Sequence, residues 1–404
     1  LLGGVFASLL ALALAIGGGT VAEAATGPRV CGTGYGHGVG LSQYGAKGRA
    51  EAGQGFGRII RTYYRGVGLK RFSNDPPVRV LLGNKVHRGA FDVVVRSGRT
   101  ATLRNFASGG TVDLRPGRYR TKFLPRRDAY RVTDISRSRR IGVYTGPIAF
   151  RPSSGGPLAF RNTDYRGTLL VRDTNRRLFL INVLRKELYL RGVVPREMPS
   201  SWNIDALKSQ AVAARSFASA TQSGGAFDFF DDTRDQVYGG ASAETRRTNI
   251  AVRRTARIHA MYNGSPITAF FHSSNGGTTE DSRYVFGNAV PYLKSFRDVD
   301  GAGRRFEGPA HADSPWTRWS GRIDADGSRR FGVGSIQSIR VLDRAPSGRA
   351  TRIRVNGTNG RTTVSGEQEI RFGLRSTGVR LSDGSTRSGG ALPSARIFFG
   401  ERCG

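Results

Sequence analysis

The chain has 404 residues and a formal charge of +33, from 63 basic and 30 acidic side chains. That length allows two or three domains and a sizeable core. The charge implies a polyanionic neighbourhood, but the cations are scattered with no block of five or more, which argues for general electrostatic retention and against a base-reading surface.

Residues 1–25 read as a secretory signal: an apolar run from Val5 to Ile16, then small residues and an Ala22-Glu23-Ala24 cleavage pattern. The run is too short for a confident membrane span, and no later stretch is long and apolar enough to cross a bilayer. Export places the protein in the cell envelope or outside it, where cysteines pair. The two present, Cys31 and Cys403, are expected to form a disulfide that sets the ends of the mature chain side by side. Loop entropy would credit such a bridge with roughly 5 kcal/mol.

Residues 31–66 open with a glycine-rich half whose backbone can take positive φ and come close to a ligand or to another backbone. A short helix follows, Phe56 to Tyr64, with Ile59, Ile60 and Tyr63 inward. The glycine spacing is not a phosphate loop, since no strand precedes it and the Gly-Lys-Ser/Thr ending is missing. Between residues 78 and 180, Val, Leu, Phe and Tyr alternate with Arg, Asp and Thr in short runs punctuated by Gly, Pro, Asn or Asp. This pattern predicts a β-rich region without a catalytic cluster, a scaffold or a wall-contacting module.

The stretch 187–220, ELYLRGVVPREMPSSWNIDALKSQAVAARSFASA, organises the rest. Glu197 sits among Val193, Val194, Pro195, Met198 and Pro199, an apolar setting in which proline fixes φ on both sides. Poor hydration of the carboxylate raises its pKa, which suits a general acid, while the start of a following helix would favour the charged form. That helix is predicted with Ser200 or Ser201 as N-cap and an apolar stripe of Ile204, Leu207, Ala211, Ala214 and Ala218. Arg215 falls beside the stripe and needs a carboxylate, a carbonyl or a cleft. A polar, aromatic loop through DQVYGG follows, then a second helix over about Ala243 to Met261, a strand in PITAFFHSSNGG, and short strands again from residue 316 to the end. The expected fold class is α+β: β-rich, with short strands, a few helices, and a central alanine-rich helix after the loop that carries Glu197.

Four blocks resemble the stage II sporulation protein D and amidase enhancer (SpoIID/LytB) family of cell-wall proteins. They are GYGHGVGLSQYGAKGRAEAGQGFGRIIRTYY, LYLRGVVPREMPSSWNIDALKSQAVAARSFA, the DQVYGG loop and PITAFFHSSNGGTTEDSRYVFG, with weaker matches in GRATRIRVNG and VSGEQEIRFGLRST. In relatives the glycine-rich block closes the chain; here it opens the mature chain. A circular permutation joined by Cys31 and Cys403 would account for that order. The implied organisation is a signal over 1–25, a glycine-rich block over 26–70 packed with the C-terminal part, a β-rich accessory region over 71–165 and a catalytic domain over 166–404.

The resemblance implies lytic transglycosylase chemistry on peptidoglycan glycan strands stripped of stem peptides, with Glu197 as general acid and then base. It also implies a substrate-contacting role for Arg215. Weaker candidates for the sugar site are Gln210, His37, Ser42, Gln43, Tyr44, Gln236, Tyr238, His272, Ser273 and Ser274, for several of which tight packing is an equal alternative. Some relatives resemble zinc proteins after the strand. Here HSSNGGTTED has no Cys, and His272, Glu280 and Asp281 make no specific ligand set, so neither metal nor cofactor is expected. Expected partners are glycan strands, anionic wall polymers and a cell-wall amidase, not nucleic acid. The competing functional class is a non-catalytic wall-binding enhancer of an N-acetylmuramoyl-L-alanine amidase.

Overall fold

A computed structural model describes residues 26–83, 89–153, 155–174, 177–326 and 331–400. The signal segment and Cys403 lie outside the described residues. The fold is α+β and β-rich, 22% helix and 39% strand.

Alternation drives the β-rich half. In Ala90–Val95, Phe91, Val93 and Val95 are buried while Ala90, Asp92 and Val94 face outward. Six strands form one sheet in the spatial order 139–145, 129–134, 117–124, 90–95, 158–160, 163–165. Seven form a second: 229–230, 77–81, 177–185, 168–174, 148–152, 101–105, 111–114. Their inward side chains merge into one core, with Val80, Phe150 and Val171 from the second sheet beside Val93, Tyr119 and Val132 from the first. The strand Gly117–Leu124 and the hairpin 158–165 were not expected from the sequence.

The helices gather on the other side. α1 (Gln43–Glu51) and α2 (Phe56–Tyr63) follow the glycine-rich turns, and Ile59, Ile60 and Tyr63 are buried as the spacing predicted. α3 (Lys186–Glu197) leads directly out of a strand, and α4 (Ile204–Thr221) comes next. The N-cap of α4 is Asn203, whose side chain accepts from the Asp205 N–H at 3.0 Å, and not Ser200 or Ser201. α4 is buried on almost every side. Ala211, Ala214 and Ala218 pack into the sheet core, while Ala206, Leu207, Val212 and Ala213 pack into a second core with Ile59, Ile60 and Tyr64. Small side chains let both cores close onto one helix, which is why it is rich in alanine. α5 (Arg246–Arg254) is shorter than predicted, because Arg257 takes a left-handed φ of 62° and Ile258–Tyr262 then form a strand. α6 (Arg283–Phe286) borders this group, whereas α7 (Glu367–Gly373) packs Ile370 into a third core with Trp319, Ile323, Ile353 and Val355. Among the described residues no helix is long and apolar enough to cross a membrane.

The glycines at 34, 36, 38 and 40 all have positive φ, as expected, but their close approach is to the protein itself. A Cβ at Gly40 would strike the Phe270 carbonyl, and one at Gly45 the Tyr63 hydroxyl. Beside them Leu41–Ser42 pairs in parallel with Phe271–His272. The N-terminal strand Thr26–Gly32 is sandwiched between 319–324 and 397–399, with Cys31 opposite Phe398. A peptide map made without reductant should join the Cys31 and Cys403 peptides; two alkylated thiols would contradict the pairing.

Candidate functional site

Glu197 is the last residue of α3, where the chain leaves one core for the other. Val193 and Val194 are fixed in the sheet core and Met198 in the helical core, so the backbone at Glu197 is held from both sides. The carboxyl is half-buried and accepts the Val237 N–H at 2.9 Å and a hydrogen bond from the Gln43 side chain. Burial raises its pKa above the ordinary carboxylate range, opposed by the Val237 and Gln43 bonds and by Arg196. The helix field differs from expectation. Glu197 ends α3 instead of starting α4, so the nearest helix terminus carries partial negative charge and also favours the protonated acid.

The carboxyl opens into a cavity of about 540 Å³ to which all four main blocks and the weaker VSGEQEIRFGLRST match contribute. His37 comes from the glycine-rich turns, Phe217 from α4, Asp235 and Val237 from the DQVYGG loop, and Gln368 from α7. Phe270, Phe271 and Phe286 add an apolar wall, with Phe270 and Phe286 at 4.6 Å between ring centroids. Such a wall, beside a few polar groups, suits the faces of sugar rings. Asp235 is a second carboxyl in the cavity; it accepts the Phe230 N–H at 2.8 Å and burial raises its pKa.

His37 and Gln43 are the two glycine-rich-block candidates that the structure brings to Glu197. The His37 Nδ1 accepts from the Val39 N–H at 3.0 Å, and Nε2–H donates to the Phe271 carbonyl at 3.1 Å. Burial, with Arg371 and Arg349 nearby, lowers its pKa to about 3, so it is a neutral wall and not a proton carrier. Gln43, the first residue of α1, links Glu197 to Gln210, whose side-chain oxygen lies 3.5 Å from the Gln43 nitrogen. Gln43→Ala removes a donor to the carboxylate, so the Glu197 pKa rises further. The expected result is about a tenfold loss in rate with the falling limb of the pH profile moved to higher pH.

Most of the other candidates are placed inside the protein, while Tyr44 and Ser273 are half-buried. Arg215 is fully buried; its Nε and a terminal nitrogen donate to the two Glu187 oxygens at 2.6 and 2.8 Å, which ties α4 to the first turn of α3. Ser42 caps α1 by accepting the Gly45 N–H at 3.1 Å and donates to Glu307. Glu307 also receives the Ser274 hydroxyl and the N–H groups of Asn275 and Gly276. The Ser273 carbonyl accepts the Tyr44 N–H at 3.0 Å, and the half-buried Tyr44 ring packs 4.8 Å from Trp202. Tyr238 is no stacking platform; it lies in the sheet core and donates to Asn182 at 2.8 Å. Gln236 is buried and donates to the Ala214 carbonyl, and His272 Nδ1 donates to the Val39 carbonyl. Among the described residues no three His, Cys, Asp or Glu groups gather as a metal site; Glu280 is held by Ser347, and Asp281 by Lys294 and Arg283.

Residues 174–262, from the strand before α3 to the strand after α5, match the family described as SpoIID, Stage II sporulation protein. An amidase enhancer of Bacillus subtilis is 50% identical over 110 residues, 27% of this chain and 15% of the relative. Stage II sporulation protein D of the same organism is 36% identical over 129 residues, 28% of this chain and 38% of that protein. A SpoIID-family segment therefore lies within this chain, which is similar both to a stage II sporulation protein D and to an amidase enhancer.

An uncharacterized protein of Brachyspira hyodysenteriae is 38% identical over 157 residues, 38% of this chain and 42% of the relative. The chain thus spans less than half the length of each of these three relatives. The family segment 174–262 holds Glu197, Phe217, Asp235 and Val237, whereas the aromatic wall and the His37 turn come from outside it. Phe270, Phe271, Phe286, Asp235 and the Arg215 partner Glu187 were not singled out in the sequence. Asp235 was within reach, as the acid that opens the DQVYGG loop.

Proposed function

We propose that this protein is an exported lytic transglycosylase of peptidoglycan, acting on peptide-free glycan strands with Glu197 as its general acid and base. The supporting observation is a carboxyl of raised pKa, fixed between two cores and facing a cavity with an aromatic wall. The Glu197 proton goes to the glycosidic oxygen as the bond from the anomeric carbon breaks. The carboxylate then takes the proton of the muramyl hydroxymethyl group, whose oxygen bonds to the anomeric carbon. The nucleophile is part of the substrate, so no water is consumed and Glu197 ends protonated as it began.

Two further features bear on this reading. Asp235 in the same cavity supplies the second carboxyl that a hydrolytic glycosidase uses to handle water. The relative named amidase enhancer supports a non-catalytic alternative, in which the protein holds the wall for an amidase. Purified peptide-free glycan separates the enzyme from the enhancer. Wild type should release anhydro-ended fragments and Glu197→Gln should not. Release of nothing by either protein, with both pelleting with walls and stimulating an added amidase, would replace the enzyme by the enhancer.

A further inference from the structure

One face of the six-stranded sheet is buried, and the other is an open basic surface. Arg118, Arg120 and Lys122 alternate along Gly117–Leu124, all exposed, with successive side chains about 7 Å apart. Lys122 stands directly opposite Arg131 in the antiparallel register. Like charges facing each other across strands destabilise a sheet unless a counter-charge lies over them. The single acid among them, Asp92, is already taken by Arg120 at 2.8 and 3.0 Å. Among the described residues Lys122, Arg131 and Arg161 have no carboxylate partner.

These side chains, Arg161 among them, line a cavity of about 810 Å³. Arg161 holds a left-handed φ of 54° in the tight turn between Leu158–Phe160 and Thr163–Tyr165, where glycine would be unstrained. Its guanidinium lies 5.1 Å from the centre of the Phe160 ring. Phe160 and Arg161 also border the next cavity, of about 470 Å³, which runs past Arg196 to Val237. Val237 in turn borders the cavity of Glu197. The basic face and the candidate site therefore lie along one track.

We infer that this sheet face is a binding groove for a linear phosphodiester polymer, whose repeating charge meets the cation ladder of Arg118, Arg120 and Lys122 with Arg131 and Arg161 beside it. The roughly 7 Å interval suits the length of a three-carbon polyol phosphate repeat, and guanidinium groups bind phosphate oxygens in pairs. A peptide-free glycan carries its carboxylates at the longer interval of a disaccharide. The groove does not rest on the cleavage reading, because none of these cations lines the Glu197 cavity.

The test is binding of a synthetic oligo(glycerol phosphate) to the full chain, followed by calorimetry at several salt concentrations. The triple variant Lys122→Glu, Arg131→Glu, Arg161→Glu should lose affinity by at least about thirtyfold, with a shallower salt dependence. A control with the same charge change on α5, Arg246→Glu, Arg253→Glu, Arg254→Glu, should stay within about threefold. Arg161→Gly should melt higher than wild type yet bind more weakly, a combination that a purely structural arginine would not give. Glu197→Gln should bind as wild type does, which keeps this test separate from that of catalysis. Equal losses in the two triple variants would reduce the groove to overall charge, and tighter binding of peptide-free glycan than of the phosphodiester would overturn the ligand class.

Discussion

Glu197→Gln is expected to lose about a thousandfold of glycan cleavage while folding and wall binding persist. The amide keeps an oxygen to accept the Val237 N–H but has no proton to give. On the proposed mechanism the acid must be protonated, so the rate should fall as pH rises through the raised Glu197 pKa. His37, at about 3, and His272, held well below its usual value by burial, stay neutral across that range and add no limb of their own. For the substitution itself, stability should move opposite to activity. The folded-state pKa of Glu197 lies above its unfolded value, so its contribution is full below the unfolded pKa and is lost as pH rises through the folded one. The glutamine variant should therefore match wild type in acid and exceed it at neutral pH, read from urea unfolding at the two pH values.

Arg215→Ala is expected to cost about 3–5 kcal/mol of unfolding free energy, because it strips a fully buried guanidinium from Glu187. The same guanidinium donates to the carbonyls of Ala211, Val252 and Ile258, so helix, helix and strand lose a shared anchor. Glu187 lies in the first turn of α3 and Glu197 at its end. Loss of the tie should therefore lower cleavage through a misplaced acid, not through a lost contact with sugar. Arg215→Lys keeps the charge but cannot hold both Glu187 oxygens, and should recover part of the stability and part of the rate. A loss under about 1 kcal/mol for the alanine variant would contradict this structural role and return Arg215 to the substrate side.

The parts of the fold that were legible in the sequence share one property: their side chains report burial through hydrophobicity. The alternation of Phe91, Val93 and Val95, and the spacing of Ile59, Ile60 and Tyr63, place each element with its buried face. The parts that were missed hide their burial in small or polar residues. α1 carries four small residues on its inner side, Gly45, Ala46, Gly48 and Ala50, and reads as a loop. α3 contains Pro195, read as a rigid turn, although the proline sits in the last turn of a helix. Gly117–Leu124 has a clear two-residue period, but its outward residues are two arginines and a lysine in a chain where arginine is everywhere. Around α4, the buried Ser209, Gln210, Arg215 and Ser216 look like a solvent face until the second core is seen against them.

The site divides in the same way. Glu197 stood out through its apolar frame, and Gln43 through the glycine-rich block, because both signals are local. The wall of Phe270, Phe271 and Phe286 depends on folding a distant stretch against α4, and nothing in its sequence separates a cavity wall from core. Tyr238 shows the converse: an aromatic in a promising loop whose hydroxyl is already used by Asn182.

With two carboxyls facing one cavity, the fate of water decides the chemistry most directly. Peptide-free glycan should be digested in oxygen-labelled water and the new ends weighed by mass spectrometry. If Glu197 alone moves the proton and the muramyl hydroxyl closes the ring, the ends are anhydro, unlabelled and lighter by one water than hydrolytic ends. Reducing ends that carry the heavy oxygen would contradict the account and make Glu197 and Asp235 the pair of an ordinary hydrolase.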